Sequence, residues 1–478
     1  MKSLVFFLSL CIILLFNPSF AQIETNTETV QKIETYFNSL EKIGFSGSVL
    51  VAHKGKILHK AGYGKSDQEK GIACSTETVY DIGSITKQFT GAAILKLEMQ
   101  GKLKVEDKLA KYFPNLAKDK QNITIHQLLT HSAGLPAGIG GDYEATTDEG
   151  FLKDALSKSL SFDDKSKYRY SNVGYSILGL IIEKVSGMSY EVYLYEHLWK
   201  PSGMEQTGYS RPSYEAETVA VGYESGDKWG KPNEQKWDKD APYWHLKANG
   251  GILSTVEDMY RWHEALLGEE ILSATAKQKY YHPHVEEGQG SGSHYGYGWA
   301  LFPTPRKTTL IAHNGGNGIF FADFWRYLKE EIAIIVMTNQ SKRYTEGIAS
   351  QVAGLILKPD FEAEIPNPNM SAEYAAKVNQ LADAFMAALE SEDQKLWEQF
   401  IKNHTTREFE KFIPMKKHLN FFADFHETIM QSDVVDVMGF EEKIKVVTKK
   451  GDTRKVIHLG VEENQKGEVK VGGIFMKD

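Results

Sequence analysis

The sequence predicts an α+β protein in which an antiparallel sheet is flanked by helices, with a helical region inserted between its strands. Two observations lead to this prediction. Strand-like runs lie near both ends of residues 22–358, while the segments between them have helical patterns. A proline-rich stretch then separates this part from a final helix and three more strand-like runs. Because 478 residues exceed one ordinary core, a second, small α+β domain is expected.

The strands of the first domain are predicted from two groups of β-rich runs. Gly47–Gly64 has the pattern of a hairpin, with a Lys-Gly turn between two runs. Three later runs are joined by short turns, so they should be antiparallel neighbours: Thr308–His313, Gly318–Leu328 and Ile332–Asn339.

The helices of the first domain follow from apolar periodicity and capping residues. Ile33–Leu40 is amphipathic, and Ile348–Leu357 closes the unit. Two helices are apolar almost all round and should be buried, one within Tyr80–Gly101 and one within Tyr170–Gly187. Shorter helices are expected at Ile123–Leu129 and in "STVEDMYRW", where Ser254 or Thr255 is the N-cap.

The remaining parts of the chain are a linker and an accessory domain. The linker is assigned to residues 359–370 and the accessory domain to residues 371–478. A helix capped by Ser371 carries an apolar stripe, and β-runs follow at Lys443–Thr448, Lys455–Val461 and Glu468–Phe475. The helix-then-strands order loosely resembles NTF2-like cones.

Residues 1–21 are predicted to be a signal peptide. Lys2 precedes an apolar run at Leu4–Phe16 that is too short to span a bilayer, and small residues precede Gln22. A retained anchor is the alternative. Cleavage would leave Cys74 as the only cysteine, so no internal disulfide is expected. The protein is therefore expected to be exported, to the periplasm or the medium, with no membrane span in the mature chain.

Ser84 and Lys87 stand at the opening of the first buried helix, one turn apart on the same face. A serine hydroxyl becomes a nucleophile when a base takes its proton. The positive end of a helix and apolar surroundings both disfavour an ammonium, so both lower the pKa of Lys87. The backbone N–H of Ser84 can also stabilise an oxyanion. The pattern indicates an acyl-transfer site.

The Ser-x-x-Lys pattern also occurs at Ser39/Lys42, a solvated helix face, and at Ser225/Lys228, a polar loop. Two companions distinguish Ser84. The first is Tyr170 and Asn172 at a helix opening, where a phenol near an ammonium can shuttle protons and an amide can bind an acyl amide.

The second companion is His313 at a strand end, followed by Gly315, where a strand edge could bind substrate backbone. Both companions have decoys elsewhere: Tyr36/Asn38 in the first helix and His53/Gly55 at the hairpin turn. His131 is interpreted as a hydrogen-bonded structural residue rather than a catalyst.

Taken in this order, the three motifs resemble those of the serine β-lactamase and penicillin-binding-protein superfamily, in its class C-like branch of D-aminopeptidases and esterases. "LLTHSAGLP", "GGILSTVEDM" and "YGYGW" also resemble that branch. The resemblance implies a β-lactamase-like fold with Ser84 as nucleophile. Lys87 would be its base or would keep Tyr170 basic, and Tyr170 would pass the proton to the leaving group. Asn172 would orient the acyl amide.

His313 departs from the pattern, because many members carry lysine there. A lysine suits a substrate carboxylate, whereas histidine is mostly neutral at pH 7, so amide or ester substrates are favoured over β-lactams. The resemblance implies an exported serine hydrolase acting on amides, including D-amino-acid-containing peptides, or on esters. The alternatives are a β-lactamase and a non-catalytic receptor for cell-wall peptide.

No cofactor and no metal are expected. There is no Gly-x-Ser-x-Gly or His-Glu-x-x-His pattern, and His282–His284 is more typical of a loop. The net charge of −8 gives no reason to expect nucleic acid as a partner. The predicted partner is a small peptide or ester, including cell-wall peptide, and the protein is expected to be a monomer.

Overall fold

A computed structural model describes most of the chain. The described residues are 27–162, 167–215, 217–224, 226–237, 241–288, 291–358, 360–366, 372–440, 443–450, 453–464 and 466–477. The predicted signal peptide and the predicted Ser371 cap lie outside these ranges, as does part of the predicted linker. Within the described ranges, no helix has the length and apolar character needed to cross a membrane.

The first unit confirms the predicted α+β class. Its strands are β1 (Gly47–His53), β2 (Lys56–Tyr63), β3 (Lys65–Asp67), β4 (Ile72–Ala73), β5 (Tyr80–Asp81), β6 (Gly222–Glu224), β7 (Asp227–Gly230), β8 (Leu253–Ser254), β9 (Val285–Glu286), β10 (His294–Tyr295), β11 (Ala300–Pro303), β12 (Thr309–Gly316), β13 (Phe321–Tyr327) and β14 (Ile332–Thr338). Eight of them form one antiparallel sheet in the order β2–β1–β14–β13–β12–β11–β10–β9.

The helices of this unit lie mostly between β5 and β9 and after β14. They are α1 (Thr27–Lys42), α2 (Thr86–Met99), α3 (Ile125–Leu129), α4 (Asp148–Ser157), α5 (Asn172–Ser186), α6 (Tyr190–Leu194), α7 (Val256–Leu267), α8 (Ala274–Tyr280) and α9 (Ile348–Leu357). Short 3-10 turns occur at Gly83–Ile85, Leu109–Lys111, Pro232–Glu234 and Arg343–Gly347, and a π-helical turn at Tyr195–Trp199.

The hairpin and the three consecutive strands form as predicted. Lys54 and Gly55 have φ of +52° and +68°, which is the conformation that a two-residue hairpin turn requires. β1 pairs with β14, so the two ends of the unit are adjacent in the sheet. β12, β13 and β14 pair in antiparallel order.

β1 and β14 are buried along almost their whole length, so the middle of the sheet is covered on both faces. Val49 and Val51 join one core, which α1 and α9 cover. Leu50 and Ala52 point the other way, into a larger core that includes α2, α5 and α7. The two apolar helices are therefore buried in the middle of the unit, as their sequences predicted.

The C-terminal unit has its own core. Its helices are α10 (Ala372–Leu389), α11 (Gln394–His404), α12 (Arg407–Phe412) and α13 (Met415–Met430), and its sheet is β15 (Asp433–Phe440), β16 (Lys443–Lys450), β17 (Thr453–Glu463) and β18 (Val469–Lys477), in sequence order. The predicted stripe of Val378, Leu381, Phe385 and Leu389 is buried there. The sequence analysis missed β15 and three of the helices.

Candidate active site

Ser84 lies where β5 passes into α2. It is the middle residue of the 3-10 turn Gly83–Ile85, and the α-helix itself begins two residues later, at Thr86. Gly83 has φ of +50°, and its N–H donates to the Asp81 carboxylate at 2.7 Å. No side chain caps the turn. Asp81 occupies the N–H of Gly83, and Ile85 N–H donates to Ile82 O at 3.2 Å, so Ser84 N–H is the group of this turn that can face an anion.

Lys87 is completely buried in the first turn of α2. Its Nζ donates to Ser84 Oγ at 2.9 Å and to the backbone oxygen of Asn249 at 2.7 Å. Burial lowers the pKa of Lys87 well below its ordinary value, and the more distant Asp142 carboxylate only partly opposes this shift. A neutral amine at 2.9 Å can accept the serine proton along the same line.

Tyr170 lies beside this pair, with its ring centroid 4.6 Å from Lys87 Nζ. Burial raises the pKa of Tyr170, and the interaction of its hydroxyl with the Ser84 side chain only partly offsets that rise. The two pKa shifts favour the neutral phenol and the neutral amine. Of the two roles predicted for Lys87, this favours that of direct base over that of keeping Tyr170 basic.

Asn172 is the first residue of α5. The preceding Ser171 is the N-cap, with its hydroxyl accepting from Gly174 N at 3.1 Å. The side-chain Oδ1 of Asn172 is buried and has no hydrogen-bond partner in the described part of the chain. It is therefore able to accept a hydrogen bond from a bound amide N–H.

His313 lies within β12 rather than at its end, because the strand continues to Gly316. Its Nδ1–H donates to the backbone oxygen of Asn314 at 2.6 Å, so Nε2 is the acceptor of a 2.9 Å bond from the Tyr295 hydroxyl. Burial, and then nearby Lys87, lower the pKa of His313 to about 3. The ring is neutral and both nitrogens are occupied, so the predicted substrate contact of His313 is not made through either nitrogen in this arrangement.

Gly315 is the closest approach of β12 to the nucleophile. A Cβ atom on Gly315 would lie 2.1 Å from Ile82 O and 2.4 Å from Ser84 N, and one on Gly83 would lie 2.4 Å from Gly316 N. Only glycine fits at these two facing positions. The backbone of β12 therefore runs directly along the turn that carries Ser84.

The structure adds residues that the sequence analysis did not place in the site. Asn249 precedes the "GGILSTVEDM" segment, Tyr295 begins "YGYGW" and His131 is in "LLTHSAGLP", so all three are in or beside segments that carried the resemblance. Their contacts join segments far apart in the chain, which no local pattern reveals. Tyr297 and Trp299 are core residues. The described residues contain no group of three metal-ligating side chains arranged around a common point.

Comparisons with known proteins agree with this geometry. The family model described as "Beta-lactamase" matches residues 40–354. Penicillin-binding protein 4* of Bacillus subtilis (strain 168) is 28% identical over 326 residues, covering 65% of this chain and 72% of that protein.

Two solved structures share the fold. An octameric penicillin-binding protein homologue from Pyrococcus abyssi aligns with a TM-score of 0.62 at 23% identity, over 94% of this chain and 96% of its own. The D-amino acid amidase from Ochrobactrum anthropi SV3, complexed with D-phenylalanine, aligns with a TM-score of 0.58 at 21% identity, over 70% and 99%.

Proposed function

We propose that this chain, which belongs to the β-lactamase family, is an exported serine hydrolase that cleaves amides or esters through an acyl-enzyme on Ser84. The observation that carries the proposal is the 2.9 Å contact between Ser84 Oγ and the buried Lys87 amine. A non-catalytic receptor for cell-wall peptide would not need a buried lysine amine on its serine. Export is supported by the signal-peptide pattern of residues 1–21.

The acylation step follows from the contacts of Ser84. Its proton moves to Lys87 Nζ while Oγ bonds to the acyl carbon, and the N–H of Ser84 stabilises the oxyanion. Tyr170, beside both groups, relays the proton from Lys87 to the leaving amine or alcohol as the acyl bond to it breaks. Water then attacks the ester, the bond to Oγ breaks, and the serine regains its proton.

The charge of the site favours substrates that do not place a carboxylate beside His313. His313 is neutral, and both of its nitrogens are bonded within the protein. The partly buried carboxylate of Asp142 lies within electrostatic range of Lys87. Neutral or amine-bearing amides and esters suit such a site better than penicillins. The fold shared with a D-amino acid amidase supports an amide of a D-amino acid as one such substrate.

The test is a substrate panel on the full chain. The panel contains a D-amino-acid amide, a short-chain ester and a penicillin, and a fluorophosphonate probe reports whether Ser84 is reactive. We expect labelling of Ser84 and faster turnover of the amide or the ester than of the penicillin. Fastest turnover of penicillin would favour a β-lactamase, and a protein that binds peptide without labelling or turnover would be the receptor.

A further inference from the structure

His131 has an unusual backbone for a residue so deeply buried. It follows α3 with φ of +58°, in the left-handed region that few residues other than glycine adopt, histidine, asparagine and aspartate being the most frequent of them. Its exposed fraction is 1%. Such a backbone conformation costs energy and persists only where the surrounding contacts hold it. His131 is therefore a candidate for a specific role in the site.

The contacts of His131 converge on the two neighbours of Tyr170. Its backbone oxygen accepts from Arg169 N at 3.0 Å, and its Nδ1 accepts from Ser171 N at 3.0 Å. The residues before and after the phenol are thus both hydrogen-bonded to one histidine. The backbone on either side of Tyr170 is fixed relative to α3.

The imidazole also contacts the phenol directly. The ring centroids of His131 and Tyr170 are 4.3 Å apart, and Tyr295 packs on the same imidazole at 4.5 Å. Tyr295 in turn donates to His313. His131 therefore connects Tyr170 to His313 through Tyr295.

His131 must be neutral to make these contacts. Nδ1 accepts a backbone N–H, so the ring proton is on Nε2, and a second proton would remove that acceptor. Burial lowers the pKa of His131 well below its ordinary value. The hydrogen bond to Ser171 is thus kept across the neutral pH range.

We infer that His131 is a positioning residue that holds the Tyr170 phenol against Ser84 and Lys87 through the hydrogen bonds of its carbonyl and its Nδ1. The inference rests on the proposed function, in which Tyr170 relays the proton. A group that carries a proton must stay within hydrogen-bond reach of its partners, and a misplacement of about 1 Å can cost about 100-fold in rate.

Two substitutions separate positioning from simple packing. His131→Gly and His131→Asn both tolerate the left-handed backbone and keep the carbonyl that binds Arg169. Asparagine also presents an acceptor oxygen close to the position of Nδ1, whereas glycine does not. The two variants therefore differ chiefly in the bond to Ser171.

The experiment measures kcat/KM of the full chain for the faster of the amide and the short-chain ester in the panel, whose leaving groups need a proton. Fluorophosphonate labelling shows whether Ser84 is reactive, and melting temperatures check folding. We expect kcat/KM of His131→Gly to fall about 100-fold and that of His131→Asn to remain within about fivefold of wild type. In the Tyr170→Phe background, His131→Gly should change kcat/KM less than about threefold, because the group it positions is gone. If His131→Gly unfolds, His131→Ala, which also lacks an acceptor at the position of Nδ1, replaces it in the cycle.

The outcomes distinguish this inference from the proposed function. A wild-type kcat/KM in His131→Gly, or an equal loss with and without the Tyr170 hydroxyl, overturns the positioning role. An asparagine variant as slow as the glycine variant also overturns it. Absence of Ser84 labelling in the wild type overturns the proposed function, and the inference with it.

Discussion

Helix α1 and the opening of helix α2 carry the same four-residue pattern in opposite environments. In α1, the Ser39 hydroxyl donates to the backbone oxygen of Thr35 at 2.8 Å, and Lys42 is exposed at the end of the helix. At α2, Lys87 is fully buried with its Nζ on Ser84. The pattern places the two side chains on one face in both helices. Burial of Lys87 lowers its pKa, which favours the neutral form that can act as a base.

The Tyr-x-Asn pattern shows the same contrast. Tyr36 and Asn38 are both inside α1, so Tyr36 points into the core while Asn38 is exposed. Residues two apart in a helix do not face the same side. Tyr170 and Asn172 flank the N-cap Ser171, which has an extended backbone with φ of −142° and ψ of 110°. A helix boundary, rather than a helix interior, lets a tyrosine and an asparagine at this spacing serve one site.

The largest effect is expected from substitution of Ser84, with the same substitution of Ser39 as its control. Ser84→Ala should reduce fluorophosphonate labelling and turnover by at least about 10³-fold, because no other group supplies the nucleophile. Ser39→Ala should leave both unchanged. Neither should lower the free energy of unfolding by more than about 1 kcal/mol, since each removes one small hydroxyl. Labelling rates and thermal unfolding of the two variants provide the check, and residual labelling of Ser84→Ala would identify a different nucleophile.

The sequence predicted those parts of the fold that depend on local patterns. The hairpin, the antiparallel order of β12 to β14 and the bounds of α9 all follow from alternation, periodicity and turn residues. The sequence did not predict the strand bounds and the strand that depend on tertiary pairing. β12 extends past His313 because Gly316 pairs with Phe321 of β13, and β15 exists because it pairs with β16.

The site shows the same division. Motif spacing was enough to nominate Ser84, Lys87 and Tyr170, which the structure brings together. The partner of Lys87, Asn249 O, lies 162 residues away in the chain and is a backbone atom, so side-chain identity carries no signal for it. The occupied nitrogens of His313 likewise depend on Tyr295, which only the folded sheet places beside it.

A smaller effect is expected from Gly315, which follows His313, with Gly55 of the His53/Gly55 pair as its control. Gly315→Ala would push β12 away from the turn at Ser84, because the added carbon would overlap Ile82 O and Ser84 N. We expect labelling to fall about 100-fold. Gly55→Ala has open space around it and should leave labelling unchanged, losing about 1 kcal/mol through its left-handed turn. Equal labelling rates in the two variants would show that the approach of β12 does not matter for acylation.

The smallest effect is expected from removing the C-terminal unit. The described catalytic contacts and both cores of the first unit lie before residue 364, whereas the core of the C-terminal unit starts at Tyr374. A chain ending at Pro366, which keeps every residue of these two cores, should fold and label within about threefold of the full chain. Thermal unfolding and labelling rates of the two chains provide the comparison. An insoluble or unreactive short chain would mean that the first unit depends on the second.

Burial makes Lys87 a neutral base in this mechanism, and the pH dependence of Ser84 acylation tests this role most directly. Because the pKa of Lys87 is lowered, the labelling rate should rise with pH through that lowered pKa and level off well below the ordinary pKa of lysine, about 10.4. Between the lowered pKa of Lys87 in the folded protein and its ordinary pKa in the unfolded chain, the folded state binds fewer protons than the unfolded state. The free energy of unfolding should therefore rise with pH in that window for the wild type relative to Lys87→Met. Lys87→Met should lose the pH-dependent limb and most of the rate. A wild-type rate that keeps rising to pH 10 and above, or a Lys87→Met variant with an unchanged profile, would contradict the account.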